Sequence, residues 1–347
     1  MIGSIEDRFL FDYLVFIGRF QPFHIGHLAV IKTALAQSKQ VILLIGSAKQ
    51  PRSTRNVFNV DERIQMVLSA FSSEDAARIH CVPLVDILYN DAGWVTSVEQ
   101  AVQSVTGDNL SLKIGLVGHY KDQSSYYLSL FPNWQSVSVE SYLGISATPI
   151  RDAYLLGQLP TLDMVPASTL TVLHTFLLSA EYQKLQEEAQ YIVEYKKSWA
   201  STPYPSTFVT VDAVVVHSNH VLLIERGNLP GRGLYALPGG FLDSDETLFN
   251  ACLRELREET NVSLSDADWR AAYQSQQTFD EPHRSVRGRS ITQGFYFKLN
   301  DAIPQPQVLG GDDAKRAFWL PLSDVCSEHM FEDHYAMIDR FVKINQA

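Results

Sequence analysis

The sequence predicts two domains of different fold class, an α/β domain with a doubly wound parallel sheet followed by an α+β domain. In the first half, four apolar, β-branched runs bounded by glycine or proline alternate with helical patterns. In the second half, two adjacent strand patterns precede a Gly/Pro loop and an acidic helix. Pro203 and Pro205 lie between the halves and mark a boundary. A chain of 347 residues fits two domains, since one domain usually has about 100–200 residues.

The elements of the first half follow from its apolar runs. Strands are predicted at 13–18, 40–46, 78–84 and 112–118, and helices near 25–37, 60–71 and 94–105. Continuous apolar runs are typical of parallel strands that are buried on both faces. Strand–helix alternation places ligands at the carboxyl ends of such strands. A further helical stretch runs from Ser168 to about Trp199.

The second half predicts strands over "FVTVDAVVVH" and "HVLLIER", joined by a tight turn at Ser218–Asn219. A helix at about 246–260, a strand over "ITQGFYFKL" and a last helix near 331–343 follow. We therefore expect domains at 1–185 and 206–347, joined by a helical, proline-bearing linker at 186–205.

The composition excludes several classes of protein. A formal charge of -11 argues against general binding to nucleic acid or to anionic membranes. Cys81, Cys252 and Cys326 are widely spaced, which fits a reducing cytoplasm and excludes a cysteine zinc site. No signal peptide is evident at the N-terminus, and no apolar run approaches the ~20 residues of a membrane span. We expect a cytoplasmic protein with neither nucleic acid nor membrane as a partner.

The motif "GRFQPFHIGH", Gly18–His27, lies where a predicted strand gives way to a helix. The first amides of a helix are unpaired and attract anions, and imidazoles donate hydrogen bonds to phosphate oxygens. Gly26 removes a side chain where a phosphate comes close. A metal site at His24 and His27 lacks further ligands nearby, and two surface histidines are the plainer alternative. We favour a phosphate cradle.

A second motif, "ISATPIR" at Ile145–Arg151, predicts another helix start. Thr148 is a good N-cap, and Pro149 suits the first helical position. The hydroxyls of Ser146 and Thr148 would then lie at the helix start, with Arg151 one turn further on. Arg19 and Arg55 add charge from neighbouring loops, so the cluster of cations suits a triphosphate.

Together these motifs resemble the nucleotidylyltransferase superfamily. The longer form, with "GSAKQPRSTRNVF" and "DILYNDAGW", resembles the archaeal-type nicotinamide mononucleotide (NMN) adenylyltransferases over roughly residues 10–180. The resemblance implies a Rossmann-like fold and the reaction of ATP with NMN to give NAD and pyrophosphate. Catalysis then needs alignment and charge neutralisation, with magnesium carried in on ATP. The family often has Gly-Asn where this chain has Gly118–His119.

The resemblance also implies roles for individual residues. Its phosphate-contacting residues are Arg19, His24, His27, Arg55 and Arg151, of which His24, His27 and Arg151 are expected to be catalytic. Trp94 would stack on nicotinamide, with Asp86 and Asn90 nearby. The remaining nucleotide-binding candidates are Gly18, Phe20, Gly26, Ser47, Gly118, Ser146 and Thr148. Another phosphorylated acceptor, such as pantetheine phosphate, is the alternative, and "DILYNDAGW" argues against it.

In the second half, Glu255, Glu258 and Glu259 share one face of a predicted helix. Like charges at these spacings repel, which indicates that the face holds a cation, and hard divalent ions prefer carboxylate oxygens. Arg254 precedes Glu258 by four residues and is placed to orient it. A solvated acidic face is the alternative.

The stretch Gly240–Val262 fits G-x5-E-x7-R-E-U-x-E-E-x-G-U, where U is aliphatic, and resembles the Nudix hydrolases. Asn261 replaces the usual glycine, and asparagine also tolerates the left-handed conformation of a helix C-cap. The resemblance implies hydrolysis of a nucleoside diphosphate linked to another group. Glu255, Glu258 and Glu259 would bind Mg²⁺, with Mn²⁺ as the alternative, and Glu258 and Glu259 would be catalytic.

The segment "FDEPHRSVRGRSITQGF" at 279–295 resembles ADP-ribose-handling Nudix proteins. Its arginines expected to reach phosphates are Arg284, Arg287 and Arg289. Asp312 and Asp313 are candidates for a further catalytic acid. We expect a homo-oligomeric bifunctional enzyme that binds ATP, NMN or NAD, and ADP-ribose. The alternative is a second domain that senses ADP-ribose without cleaving it.

Overall fold

The computed structural model describes residues 9–118, 130–139, 144–311 and 314–346. The chain divides into two compact units, Met1–Ala189 and Gln190–Ala347. Within the described residues, none of the helices is both long enough and apolar enough to cross a membrane.

The first unit is built on a five-stranded sheet in the order β3-β2-β1-β4-β5, and all of its strand pairs are parallel. Its strands are β1 (Phe11–Gly18), β2 (Ser38–Ala48), β3 (Ile79–Val85), β4 (Ile114–Gly118) and β5 (Gln135–Ser138). The doubly wound parallel sheet predicted from the sequence is confirmed. Its connections reverse direction between β1 and β4, which is where such sheets bind ligands.

Helices cover both faces of this sheet. They are α1 (Ile25–Gln37), α2 (Val60–Leu68), α3 (Ser73–Ala76), α4 (Asp91–Thr106), α5 (Ala147–Leu155), α6 (Ala167–Leu177) and α7 (Ala180–Ser198). On β1, Leu14 and Phe16 belong to one buried apolar cluster and Val15 to another. A strand buried on both faces accounts for the continuous apolar run in the sequence.

The helical stretch expected from Ser168 onward is two helices, because the chain turns between α6 and α7. The Ser179 hydroxyl accepts a hydrogen bond from the backbone amide of Tyr182 at 3.1 Å, which is a helix-start contact. Helix α7 extends past Ala189 into residues of the second unit, so the expected linker at 186–205 is helical over its first part.

The second unit contains a mixed sheet with the strand order β10-β11-β6-β7-β12, with β8 on β7 and β9 on β6. Its strands are β6 (Thr207–His217), β7 (His220–Arg226), β8 (Tyr235–Ala236), β9 (Gly239–Phe241), β10 (Tyr273–Phe279), β11 (Arg289–Lys298) and β12 (Ala314–Pro321). Only β6 and β11 pair in parallel among these described strands. The helices are α8 (Leu248–Thr260), α9 (Asp266–Ala272) and α10 (His334–Gln346).

Two local predictions in this unit are confirmed. Ser218 and Asn219 both have positive φ, 45° and 60°, as a two-residue hairpin turn requires. Asn261 ends α8 in the left-handed conformation, with φ 49° and ψ 25°. Its side-chain amide donates to the Leu309 carbonyl at 3.0 Å, so asparagine also anchors the following loop.

Candidate active sites

In the first unit, the carboxyl edge of the sheet gathers residues that lie far apart in the sequence. Gly18 and Gly118 end the neighbouring strands β1 and β4. Ser47, near the end of β2, donates its backbone N–H to the Asp86 carboxylate at 3.1 Å. The edge therefore brings together four of the predicted binding residues.

The two histidines of the first motif cap α1 as a reciprocal pair. His24 is the N-cap residue, and its Nδ1 accepts from the His27 amide at 3.4 Å. The Nδ1 atom of His27 accepts from the His24 amide at 3.3 Å, and the rings stack with centroids 3.6 Å apart. Because both Nδ1 atoms accept, each neutral ring carries its proton on Nε2. Both Nε2 atoms are therefore donors beside the helix start.

Gly26 has a packing role that the sequence did not reveal. A Cβ atom at this position would lie 3.0 Å from the His24 ring and 3.8 Å from the Ile145 carbonyl oxygen. Besides the room for a phosphate that the sequence predicts, the absence of a side chain at Gly26 therefore lets His24 fold over the helix start. The same contacts place the starts of α1 and α5 side by side.

Phe20 does not line the site with its side chain. Its side chain is only 1% exposed, and its ring meets the His27 ring edge-on at 4.9 Å. Its φ of 53° turns it inward, and the absence of a side chain at Gly18 accommodates its ring. The Phe20 side chain supports His27 from behind and is buried away from a nucleotide, so the predicted nucleotide contact rests on its backbone.

The second motif begins its helix two residues earlier than predicted. Ser146 is the N-cap of α5 and Ala147 its first residue, so Thr148 is not the N-cap. Thr148 is exposed in the first turn, and Pro149 also lies there, where its missing N–H leaves no bond unmade. The Ser146 side chain makes no capping hydrogen bond.

Arg151 is the buried cation of this site. Its Nη1 donates to the Gln21 carbonyl at 3.3 Å, and its Nη2 lies 3.5 Å from the Asp152 carboxylate. Its buried Nε has no hydrogen-bond partner among the described residues. Burial lowers the pKa of Arg151 to about 10; Asp152 opposes this, while Arg19 and Arg55 lower the pKa further. The positive charges of Arg19 and Arg55 therefore act on Arg151, so the three arginines predicted to bind phosphate lie close enough to interact.

A second buried arginine, Arg63, was not among the site residues predicted from the sequence. It is 1% exposed and donates from Nη1 to the carbonyls of Arg19 at 2.9 Å and Gly46 at 2.6 Å. Arg63 thus joins the loop that follows β1 to the last part of β2, and burial lowers its pKa to about 10. The signal was its helical spacing from Met66 and Val67, which puts it on the apolar face of α2.

The residues predicted to bind the nicotinamide lie around the start of α4. Asn90 caps this helix, with its side-chain oxygen accepting from the Gly93 amide at 3.0 Å. The Trp94 ring is half-buried and 5.9 Å from that of Phe131. Asp86 precedes both at the end of β3. His119 lies outside the described residues.

In the second unit, two glycines bring β9 against the acidic helix α8. The Gly239 amide donates to Glu259 Oε2 at 2.9 Å. A Cβ atom at Gly240 would overlap the Glu255 carboxylate. Both carboxylates are buried, and burial raises the pKa of Glu259 to about 8, with Glu255 adding to the rise and the Gly239 amide opposing it.

Arg254 collects the remaining carboxylates of this helix. It contacts Glu246 at 2.7 Å, Glu255 at 2.8 Å and Glu258 at 2.9 Å. Hydrogen bonds to Glu246 and then to the other two raise its pKa. The predicted orientation of Glu258 by Arg254 is confirmed.

The three predicted metal ligands do not converge in this arrangement. Among the described residues, no three His, Cys, Asp or Glu side chains form a group that could hold a metal ion. Arg254 draws Glu255 and Glu258 to itself, while the Gly239 amide holds Glu259. The donor set still fits a hard divalent cation, because it offers carboxylate oxygens only, two of them from buried side chains.

Arg284 lies in the interior of the second unit, contrary to the prediction. It was expected to reach a phosphate, but it is buried and its Nε and Nη2 donate to the Asp333 carboxylate at 3.0 and 2.8 Å. Its Nη1 donates to Ser290 at 2.9 Å, so its donors serve the protein interior. The guanidinium of Arg287 lies 5.1 Å from the centre of the Phe241 ring, and Arg289 donates to the Asp280 carbonyl. Asp312 and Asp313 lie outside the described residues.

Two buried polar residues near Glu259 were also missed. Asp212 on β6 accepts from Thr292, and burial raises its pKa to about 7. His334 accepts from the Leu237 amide at 2.8 Å through Nδ1. Asp212 alternates with Val211 and Ala213 along β6 and shares its face with Thr210, a pattern that indicates solvent exposure; the sequence did not reveal that this face is buried as well.

The folds and the two sites together define the class: a nucleotidyl-transferring domain and a Nudix domain joined in one chain. Residues 15–153 match the Cytidylyltransferase-like family, and residues 206–341 match the NUDIX domain.

Similar proteins narrow this class. The Nicotinamide/nicotinic acid mononucleotide adenylyltransferase of Acinetobacter baylyi is 48% identical over 179 residues, covering 51% of this chain and 93% of that protein. The ADP-ribose pyrophosphatase of Methanocaldococcus jannaschii is 33% identical over 135 residues, covering 39% of this chain and 73% of that protein.

A crystal structure of a bifunctional NMN adenylyltransferase/ADP ribose pyrophosphatase from Francisella tularensis superimposes with a TM-score of 0.90 and 36% identity. The match covers 96% of this chain and 99% of that one. A second crystal structure from that organism, complexed with AMP and Mn ion, gives a TM-score of 0.89. The chain belongs to the family of bifunctional NMN adenylyltransferase/ADP-ribose pyrophosphatases.

Proposed function

We propose that this chain catalyses two reactions of NAD metabolism at two separate sites. The first unit transfers AMP from ATP to NMN, giving NAD and pyrophosphate. The second unit hydrolyses ADP-ribose to AMP and ribose 5-phosphate. The observation that carries the proposal is that one chain contains both kinds of site. The first unit has a helix start capped by two histidines beside Arg151. The second unit has a strand with two glycines that packs against the glutamate helix.

In the first reaction, a phosphate oxygen of NMN attacks the α-phosphorus of ATP in line, and pyrophosphate leaves. No protein nucleophile is needed, so the site contributes alignment and charge. The Nε2 protons of His24 and His27 donate to phosphate oxygens. Arg151 supplies a positive charge that its buried surroundings leave only partly compensated. Its neutralisation by a phosphate relieves that cost as negative charge grows on the leaving group.

Acceptor binding is assigned to the region around the start of α4. Trp94 stacks on the pyridine ring, and Asp86 and Asn90 flank it. Stacking suits a flat, electron-poor ring such as pyridine, and Trp94 is only half-buried.

In the second reaction, Glu255, Glu258 and Glu259 hold a divalent cation, which is Mg²⁺ in this proposal and Mn²⁺ in the alternative. When bound, such a cation activates a water molecule and screens the diphosphate. The Gly239 amide fixes Glu259, and Arg254 orients Glu258. Arg287, in the loop before β11, and Arg289, the first residue of that strand, approach the phosphates.

Product analysis on the purified chain tests both halves of the proposal. NMN with ATP should give NAD and pyrophosphate, and ADP-ribose should give AMP and ribose 5-phosphate, each with Mg²⁺ and with Mn²⁺ in parallel. Nicotinic acid mononucleotide and pantetheine phosphate serve as competing acceptors. Binding of ADP-ribose without turnover would instead support the sensor alternative for the second unit.

The proposal extends to the setting of the enzyme. A cytoplasmic setting agrees with the three free cysteines, and the net charge of -11 argues against nucleic acid as a partner. A homo-oligomer is part of the proposal as well. Domains at 1–185 and 206–347 agree with the matched ranges 15–153 and 206–341. Light scattering of the purified chain tests the oligomeric state, and limited proteolysis within 186–205 tests the boundary.

A further inference from the structure

Three consecutive polar residues precede or begin α10, and their contacts reach two other segments of the second unit. Glu332 accepts from the Val286 amide at 3.0 Å. Asp333 forms the two-point ion pair with Arg284, and His334 accepts from the Leu237 amide. One tripeptide, here called the Glu332–His334 segment, thus links two segments of the second unit, residues 284–286 and the stretch that contains Leu237.

The contact made by His334 leads directly to the glutamate helix. Leu237 lies two residues before Gly239, whose amide holds Glu259 Oε2 at 2.9 Å. Between them, the Pro238 carbonyl accepts from the Ala213 amide at 2.8 Å, which pins this stretch to β6. The hydrogen bond from the Leu237 N–H to His334 therefore helps to hold the backbone in the position from which the Gly239 amide reaches Glu259.

The chemistry of His334 is determined by this contact. Since Nδ1 accepts from a backbone N–H, the ring is neutral and its proton lies on Nε2, 3.7 Å from Asp212 Oδ1. Burial lowers the pKa of His334 to about 3, so the acceptor persists throughout the working pH range. A protonated imidazole would have no acceptor to offer Leu237.

The contacts of Glu332 and Asp333 lead to the predicted substrate segment. Val286 and Arg284 flank Ser285 in the loop that carries Arg287 and leads into β11 at Arg289. Glu332 adopts a positive φ of 45°, a conformation that costs free energy in a residue other than glycine. Its contact with Val286 and the Phe331 amide donating to the Tyr235 carbonyl at 2.7 Å hold the chain in this turn.

We propose that the Glu332–His334 segment is a positioning element for the diphosphate-hydrolase site, with His334 fixing the strand that holds Glu259 and Asp333 fixing the loop that carries Arg287. This inference rests on the proposed hydrolysis of ADP-ribose. It predicts different effects for the two residues, because His334 positions the strand that contacts the glutamate helix, whereas Asp333 positions the loop that contacts the substrate. Changes at His334 should lower kcat, and changes at Asp333 should raise KM.

Substitutions at His334 separate positioning from simple filling of space. The Oδ1 atom of asparagine lies close to the position of histidine Nδ1, so His334→Asn keeps an acceptor for Leu237. Glutamine fills more of the volume but carries its amide near the position of Nε2. We expect His334→Gln to lower kcat for ADP-ribose about 10–100-fold with little change in KM, and His334→Asn to keep most of it.

The matched control is His217→Gln in the same unit. His217 is also a buried histidine bonded to a backbone group, the Ile303 carbonyl at 3.0 Å, but it lies at the hairpin end of β6. Its substitution should leave kcat and KM unchanged. NAD synthesis by the same preparations reports on the folding of the first unit.

Hydrogen exchange in the full chain gives a readout independent of turnover. The Leu237 amide should exchange faster in His334→Gln than in His334→Asn, whereas the control should match wild type. Equal kcat values and equal exchange in the asparagine and glutamine variants would overturn the inference. An inactive wild type that showed the expected exchange difference would overturn the proposed hydrolysis while supporting the Leu237 contact.

Asp333→Asn tests the second arm, because asparagine keeps the shape but removes the charge opposite Arg284. We expect KM for ADP-ribose to rise more than kcat falls. A fall in kcat alone would contradict the assignment of Asp333 to the substrate loop. If this variant does not fold, Glu332→Ala removes only the acceptor for Val286 and should shift KM in the same direction.

Discussion

Replacing Glu259 by glutamine should make the second unit more stable when no metal is available. Burial raises the pKa of Glu259 from 4.5 to about 8, so the folded chain holds a carboxylate that resists ionisation. The unfolded chain ionises this group freely above pH 4.5. The contribution of this group to the free energy of unfolding is therefore at its maximum below pH 4.5, and it falls as the pH rises toward 8.

The shift sets the size of the effect. At pH 7 the linkage between these two pKa values costs the folded state about 3 kcal/mol. Glutamine keeps an acceptor for the Gly239 amide but buries a new N–H₂ group, which costs about 1 kcal/mol. The net gain of about 2 kcal/mol corresponds to a rise in Tm of about 4–8 °C for a domain of this size.

Calorimetry of the full chain in EDTA at pH 5, 7 and 8 measures this effect. The difference between Glu259→Gln and wild type should grow with pH, and the transition of the first unit should not move. Magnesium should stabilise wild type more than the variant, because the variant has lost a ligand. Glu258→Gln is the control, since its side chain is 45% exposed and its removal should bring no gain. A lower Tm for Glu259→Gln in EDTA at pH 8 would refute the reasoning.

Three further substitutions probe the two sites. His27→Ala should reduce NAD synthesis about 10²–10³-fold and leave ADP-ribose hydrolysis intact; equal loss of both activities would contradict the separation of the sites. Trp94→Ala should weaken NMN binding by roughly 1–3 kcal/mol in titrations and ATP binding less; a loss confined to ATP would place Trp94 elsewhere. Gly240→Ala should displace the Glu255 carboxylate and cut hydrolysis about 10–100-fold without lowering Tm, as turnover and melting curves would show.

Local signals made much of the fold predictable. The four apolar runs of the first half fall within the observed strands β1 to β4 or extend them by one or two residues. A turn at Ser218–Asn219 and a left-handed Asn261 followed from the intrinsic preferences of serine and asparagine. Such features depend on neighbours in the sequence, which is why they could be recognised without a structure.

Features that depend on distant partners were not predictable. Arg284 resembles a surface cation in sequence, but Asp333, 49 positions later, takes it into the interior. Arg63 bonds to carbonyls 44 and 17 positions away. The start of α5 was misplaced for a related reason. Serine and threonine are comparable N-cap residues, so the sequence alone does not decide between Ser146 and Thr148. The structure uses Ser146, and the residue before it, Ile145, lies against Gly26 of α1.

The two units meet opposite electrostatic problems in the same way. In the first, Arg63 and Arg151 are buried, and burial lowers the pKa of each to about 10. In the second, Asp212 and Glu259 are buried, and burial raises their pKa values to about 7 and 8. In both units, burial of these ionisable groups lowers the stability of the folded state, because the charged forms lose their contact with water. A ligand of opposite charge would recover that free energy on binding, so the proposed anion suits the first site and the proposed cation the second, whatever the net charge of the chain.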